Sequence, residues 1–103
     1  MAFLVAAATA VASGTSDAQG ITGTWNKVLT GFSVAETAAP AAAAEVILRH
    51  GTADTDAMLV APINLDANGF GQYVLDPPVV VSSGVYVDRV SGTTTLVLYT
   101  VNL

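Results

Sequence analysis

Residues with reactive side chains are few and widely spaced in this chain of 103 residues. His50 is the single histidine in the sequence, and there is no cysteine. A catalytic histidine needs a nucleophile beside it, but the chain has no Gly-x-Ser-x-Gly motif, and zinc hydrolases use several histidines. Strand alternation places His50 on the same face as Val46 and Leu48. We therefore expect a half-buried structural histidine, and we expect no enzymatic activity.

Two acidic segments contain side chains of the types that bind metal ions. Residues 64–69 (Asn-Leu-Asp-Ala-Asn-Gly) resemble the start of an EF-hand loop, but Leu75 occupies the position of its bidentate glutamate. The pair Asn68-Gly69 favours a hairpin turn instead. Asp54 and Asp56 lie in a short polar segment, where aspartate commonly caps backbone N–H groups. We expect turns at both places, with no metal and no cofactor.

Aromatic residues are spaced in a way that suits either a core or a binding surface. Rings can stack on the apolar faces of sugars, but aromatics at a spacing of two on strands more often fill cores and subunit interfaces. A core or interface role is therefore the first interpretation, and a carbohydrate site is the alternative. The residues concerned are Trp25, Phe32, Phe70, Tyr73, Tyr86 and Tyr99.

Two arginines lie within or at the ends of apolar strand patterns. Arg49 and Arg89 are suited to bidentate pairing with carboxylates at an interface. Their candidate partners are Glu45, Asp76 and Asp88. The alternative is a solvated surface pair, which contributes about 0–1 kcal/mol. We name Trp25, Arg49 and Arg89 as candidate partner-binding residues.

Strand patterns follow one another from residue 21 to the end of the chain. They are separated by turns rich in glycine, proline, asparagine and serine, which predicts six to eight short strands. This spacing predicts an all-β fold, a small antiparallel β-sandwich or jelly-roll-like domain over residues 21–103. The predicted strands include 24–34 (with Val28, Thr30, Phe32 and Val34 on one face), 45–50, 57–65, and 70–75, the last ended by Pro77-Pro78.

Residues 1–20 form an alanine-rich segment that we expect to be an N-terminal arm or edge strand. Its apolar run is about half of the roughly 20 residues that a transmembrane helix needs, and it lacks the positive residues of a signal peptide. Such an arm can add as a strand to a neighbour's sheet. Removing residues 1–20 should then leave the sandwich folded. Its candidate contact residues are Phe3, Leu4, Val5 and Val11.

Composition limits the classes of partner. The chain is 52% hydrophobic and 11% charged, with a net charge of −5 and a mean hydropathy of +0.60. Three basic residues cannot form the basic face that nucleic acid or an anionic membrane requires. A small domain needs many polar residues to cover its surface. The apolar excess therefore predicts that part of the surface is buried against other protein.

Three segments together resemble small β-sandwich structural proteins of tailed-bacteriophage virions, of the decoration or cement type. They are residues 29–34 (Leu-Thr-Gly-Phe-Ser-Val), 46–52 (Val-Ile-Leu-Arg-His-Gly-Thr) and 83–93 (Ser-Gly-Val-Tyr-Val-Asp-Arg-Val-Ser-Gly-Thr). The resemblance covers residues 21–103. It implies location in the virion, homo-oligomers with trimers favoured, and contact with the major capsid protein or other virion proteins.

The resemblance and the composition lead to one expected function and two alternatives. We expect a capsid decoration protein that stabilises the shell through contacts between subunits. The first alternative is a structural component of the neck, tail or baseplate. The second, of another class, is a carbohydrate-binding module for host attachment.

Overall fold

Strands form where apolar and β-branched residues alternate, and the turns between them carry glycine, asparagine and aspartate. A computed structural model describes residues 5–103, and within that range no helix is long and apolar enough to cross a membrane. The strands are β1 (Val5–Gly14), β2 (Ala18–Ile21), β3 (Lys27–Glu36), β4 (Ala44–His50), β5 (Ile63–Leu65), β6 (Phe70–Val80), β7 (Val85–Ser91) and β8 (Thr94–Asn102).

These strands form two antiparallel sheets of four, packed face to face. Sheet A has the order β1-β8-β3-β6, and sheet B has the order β2-β7-β4-β5. The pairs β1–β8, β2–β7, β3–β6 and β4–β5 are those of one long hairpin that has been rolled up. The predicted all-β sandwich is confirmed, and its strand order is that of a jelly roll.

The core lies between the two sheets and is made of aliphatic side chains around one phenylalanine. Phe32, Leu98 and Leu48 have no exposed surface. The ring of Phe32 stacks on that of Tyr73, with centroids 4.8 Å apart and planes 22° apart. Burial of each large side chain contributes about 1.5–3 kcal/mol, so these residues account for much of the stability of the fold.

The N-terminal segment belongs to the sandwich itself. β1 is an edge strand of sheet A, paired with β8, and β2 is an edge strand of sheet B, paired with β7. The boundary that we placed between residues 20 and 21 falls inside β2. Val11 and Ile21 are buried in the core. Residues 5–20 therefore supply β1 and most of β2, so this part of the segment is an edge strand of each sheet and not a separate arm. This pairing predicts, against the earlier expectation, that the sandwich does not fold without them.

The predicted strand at 57–65 is shorter than expected. Only Ile63–Leu65 forms a strand, and before it Met58 makes a single bridge to Arg49. Pro62 directly precedes the strand and cannot donate to a ladder, which limits the pairing on that side.

The predicted end of a strand at Pro77-Pro78 is also wrong, because β6 continues to Val80. It is the edge strand of sheet A, and an edge strand tolerates proline because it has one side without ladder hydrogen bonds.

The predicted common face of residues 28, 30, 32 and 34 holds only for Phe32 and Val34. A register shift between Leu29 and Gly31 turns Leu29 into the core and leaves Val28 and Thr30 half-exposed. Gly31 is required at this bulge, because a Cβ atom there would collide with the carbonyl oxygen of Tyr73. A bulge of this kind shifts the alternation of the strand by one residue.

Candidate functional site

Apart from Asp76 on the edge strand β6, the outward-facing residues of sheet A carry no charged side chain among the residues that the structure describes. Residues paired across an antiparallel ladder point to the same side, so the rows between the buried rows face outward. We call the surface formed by these outward residues the apolar face. Its residues are Ala6, Ala8, Ala10, Val28, Ser33, Ala35, Phe70, Gln72, Val74, Val80, Thr95, Val97, Tyr99 and Val101.

Large hydrophobic side chains on the apolar face are strongly exposed. Phe70 is 83% exposed and Val74 is 84% exposed. Val97 and Tyr99, on the central strand β8, are half-buried by their neighbours. A sheet with one solvated side normally alternates apolar residues inward with polar residues outward. Sheet A departs from that rule on its outer side, which is expected of a surface that is covered by another protein.

Two shallow depressions lie on the apolar face. One has a volume of about 220 Å³ and is lined by Ser33, Phe70, Gln72 and Val97 among others. The second has a volume of about 320 Å³, and its lining includes Ala8, Thr30, Tyr99 and Val101. The depressions have small, mostly apolar walls and bring no acid–base pair together.

Sheet B presents the opposite chemistry on its outer side. Its outward row at Arg49, Tyr86 and Gln19 is polar, and Asp88 follows next to it. Tyr86 donates a hydrogen bond to the Asp17 carboxylate at 3.1 Å, and burial together with this bond raises the pKa of the Tyr86 hydroxyl. This face follows the usual polar-outward pattern, so the two outer faces of the sandwich differ in kind.

Arg49 forms the ion pair that its sequence position indicated. Its Nε donates to Asp88 Oδ2 at 3.0 Å, and its Nη1 donates to the carbonyl oxygen of Asp56 at 2.8 Å. The side chains of Arg49 and Asp88 are 16% and 13% exposed. The pair holds the 51–57 loop against sheet B, so it is engaged within the chain.

Arg89 lies inside the sandwich, at the end where β1 and β8 separate. Its guanidinium donates to the carbonyl oxygens of Ala12, Ser16 and Thr94 at 2.6–3.0 Å, and to Thr94 Oγ1 at 3.2 Å. Arg89 is 8% exposed and forms no salt bridge within residues 5–103. The expected pairing of Arg89 with a carboxylate at an interface is therefore wrong. Its role is to satisfy backbone acceptors where two strands diverge.

The other predicted contact residues lie in different environments. Val11 is 6% exposed and belongs to the core, so it does not form a contact surface as we expected. Trp25 is 81% exposed in the turn between β2 and β3, where its ring is free for a partner. Val5 begins β1 opposite Asn102, and nothing is described of its side chain. Phe3 and Leu4 lie outside the described residues.

The polar residues that the sequence offered as catalytic or metal-binding candidates form structural hydrogen bonds. The Nε2 atom of His50 accepts a hydrogen bond from the backbone N–H of Ser83 at 3.2 Å. The carboxylate of Asp56 caps its own turn by accepting from the N–H groups of Thr52 and Ala53. Asn68 has a φ of 61° in a tight turn that is closed by a hydrogen bond from the N–H of Gly69 to the carbonyl oxygen of Asp66. The predicted hairpin is wrong, because the strands on either side of this turn, β5 and β6, belong to different sheets. Within the described range, no three His, Asp or Glu side chains are grouped so as to hold a metal ion.

One signal for the apolar face was present in the sequence. The run Thr94-Thr95-Leu96-Val97-Leu98-Tyr99-Thr100-Val101 has no charged residue on either side of the predicted strand. Continuous apolar runs of this kind are typical of strands that are covered on both faces. The pairing of β8 between β1 and β3 then extends this property over the whole outer face of sheet A.

Comparison of the chain with protein-family models, with curated proteins and with solved structures finds no match in any of the three.

Proposed function

We propose that the chain is a non-enzymatic structural protein of a tailed-bacteriophage virion, a decoration (cement) protein that binds the major capsid protein through the apolar face. The observation that carries the proposal is the mostly apolar outer side of sheet A, where Phe70 and Val74 are more than four-fifths exposed and Asp76 at the β6 edge is the one charged residue described. Jelly rolls occur in capsid domains but also in lectins and cupins. The fold therefore agrees with the proposal, and the argument depends on the surface.

The physical basis is burial of apolar surface between subunits. Each square ångström of apolar surface removed from water contributes about 25 cal/mol, so a flat face of Ala, Val, Tyr and Phe side chains binds without charged partners. Although the chain has a net charge of −5, the apolar face between β1 and β3 brings no carboxylate into the contact, and Asp76 lies at the β6 edge where it can stay in water. A copy of the chain that binds two neighbouring capsid subunits at once would link them and stabilise the shell.

The first test is the copy number of the chain in purified phage particles from a culture that produces it. Hundreds of copies per particle support a capsid decoration protein. A handful of copies supports the neck, tail or baseplate alternative and contradicts the capsid assignment. Absence from the particles overturns the virion proposal altogether.

The second test asks whether the apolar face makes the contact. Particles stripped of the chain are incubated with the wild type, with Val97→Lys on the apolar face, and with Asn64→Lys on the outer face of sheet B. A lysine at Val97 introduces an unpaired charge into the interface, so we expect occupancy to fall at least about tenfold. Asn64→Lys carries the same charge on an exposed site, and we expect it to bind like the wild type. Equal binding by Val97→Lys would contradict the use of this face.

Exposure of Trp25 favours one further function, carbohydrate binding for host attachment. An indole ring that is 81% exposed can stack on a sugar ring. Glycan-array binding that is lost in Trp25→Ala, with the thermal unfolding curve unchanged, would support it. Absence of binding to any glycan would exclude this alternative in favour of the structural one.

A further inference from the structure

The four edge strands of the sandwich differ in how well they are protected against pairing with another chain. Sheet B ends in β2 and β5, which have only four and three residues. Sheet A ends in β6, which carries Asp76, Pro77 and Pro78 at the point where its ladder with β3 is interrupted. Short length, charge, proline and irregular register are the usual means of blocking an edge.

From Val5 to Val11, β1 has none of these protections, and its one register shift with β8 lies beyond this stretch, between Val11 and Gly14. It has ten residues, Val-Ala-Ala-Ala-Thr-Ala-Val-Ala-Ser-Gly, without a charge or a proline. Its ladder with β8 is regular from Val5 to Val11, and β8 is its only strand partner among the described residues. The other side of β1 is therefore a straight row of backbone N–H and C=O groups that are open to a further strand.

We propose that β1 pairs with β1 of a second copy of this chain, antiparallel about a two-fold axis. The two copies of sheet A then form one continuous sheet of eight strands. This contact uses the same surface on both subunits, so it closes with two copies and leaves neither β1 edge open. It is an alternative to the trimer that the resemblance implies.

Self-pairing is favoured over the other pairings that two copies offer. Addition of β1 to the β6 edge of a neighbour meets the proline pair and Asp76 midway along the strand, and it would continue as an open filament. At a β1–β1 contact, the facing strands carry small side chains and no charge, although each copy has a net charge of −5. Ala6, Ala8 and Ala10 are exposed and leave the backbones free to approach.

The size of the interface with the capsid gives a second reason for a dimer. This reason rests on the proposed function, whereas the argument from the edge strands does not. Four strands at about 4.8 Å spacing and about 23 Å in length present a footprint of about 450 Å². A stable interface buries about 800 Å² on each partner. Two copies joined at β1 double the apolar face and bring its footprint to that size.

The experiment compares two double variants that place the same charges in the same rows at opposite edges of sheet A. Ala10 and Gln72 belong to one cross-strand row, and Ala8 and Val74 belong to the next. All four side chains are exposed. The molar mass of the purified chain is measured by light scattering and sedimentation over a range of concentrations. The wild type is compared with Ala8→Lys/Ala10→Lys and with the control Gln72→Lys/Val74→Lys.

We expect a dimer for the wild type and for the control, and a dissociation constant raised at least about tenfold for the β1 variant, where like charges oppose each other. A monomeric or trimeric wild type overturns the proposal. Loss of the dimer in both variants would indicate that two copies pack through their apolar faces and not through β1, and it overturns the proposal. Loss of the dimer in the control alone overturns the proposal as well. No capsid is present, so failure here is distinct from failure of the proposed function.

A second measurement covers the case in which the β1 variant does not fold. Alternate residues of β1 direct their N–H groups away from β8, because neighbouring residues of a strand point their backbone groups to opposite sides. In the wild-type dimer, these central amides are hydrogen-bonded and should exchange slowly with deuterium. Fast exchange of every second amide in β1, at a concentration where the mass is that of a dimer, would contradict pairing through this edge.

Discussion

The carboxylate of Glu36 accepts a hydrogen bond of 2.7 Å from the backbone N–H of Asn68, which lies 32 positions further along the chain. Its other oxygen accepts from the N–H of Ala38 at 2.6 Å and from that of Ala42 at 3.4 Å. Glu36 ends β3 and is 6% exposed. One carboxylate thus holds both the loop after β3 and the turn that connects β5 to β6.

Acid should weaken the fold through Glu36. The N–H of Asn68, with those of Ala38 and Ala42, lowers the pKa of the Glu36 carboxyl below its ordinary value of 4.5, against the opposing effect of burial. The folded pKa is below the unfolded one, so the stabilisation is complete above about 4.5 and is lost as the pH falls through the folded value. Urea unfolding at a series of pH values measures this loss.

Glu36→Gln tests the assignment, because glutamine keeps one acceptor oxygen and has no charge. We expect this variant to be less stable than the wild type at pH 7 and to lose less stability on acidification. Glu45→Gln, on the outer face of sheet B, is the matched control and should retain the wild-type acid response. A Glu36→Gln variant whose stability falls with acid as steeply as the wild type's would contradict the role of this carboxylate.

Replacement of Arg89 should destabilise the fold far more than replacement of Arg49. Arg89→Ala leaves the buried carbonyl oxygen of Thr94 and the partly buried carbonyl oxygens of Ala12 and Ser16 without this donor, and we expect a loss of about 3 kcal/mol. Arg49→Ala removes one ion pair whose side chains keep 16% and 13% of their surface exposed, together with one loop contact, and we expect a loss of about 1 kcal/mol. Denaturant unfolding of both variants decides the order. Equal losses in the free energy of unfolding would contradict the expectation that the hydrogen bonds of Arg89 stabilise the fold more than the ion pair of Arg49 does.

Deletion of residues 1–20 should abolish the fold. The deletion removes β1 and most of β2, and it exposes the inner sides of β8 and β7 at one end of the sandwich. It also removes the side chain of Val11 from the core. Circular dichroism and amide proton spectra should therefore show an unfolded or aggregated chain. A cooperative unfolding transition in the truncated protein would show instead that six strands suffice.

Trp25 should contribute almost nothing to stability, and its fluorescence should report a water-exposed ring. It is the only tryptophan in the chain, so emission comes from one site. An indole that is 81% exposed should emit at long wavelength and be quenched readily by acrylamide. Trp25→Ala should change the free energy of unfolding by less than about 0.5 kcal/mol. Blue-shifted emission from the free chain would mean that the ring is covered, and would weaken the carbohydrate alternative.

The all-β class could be predicted from local patterns, because alternation of apolar residues and turn chemistry are properties of neighbouring residues. Val46 and Leu48 are buried as alternation requires, and Asn68 takes the positive φ that its turn requires. The details failed where a distant residue decides the local structure. The bulge at Gly31 depends on the backbone of Tyr73 across the ladder, and β6 tolerates Pro77 because no strand among residues 5–103 pairs with its outer edge.

The candidate site shows the same division between sequence and tertiary structure. Composition by itself determined that this chain has more apolar surface than a small domain can bury, and that it lacks basic residues for nucleic acid. Only the order β1-β8-β3-β6 decided that a continuous part of this excess lies on one outer face, because neighbouring rows join into a surface only once strands pair. Likewise, Arg49 and Arg89 look alike in the sequence, and sheet pairing turns one outward and the other into the core.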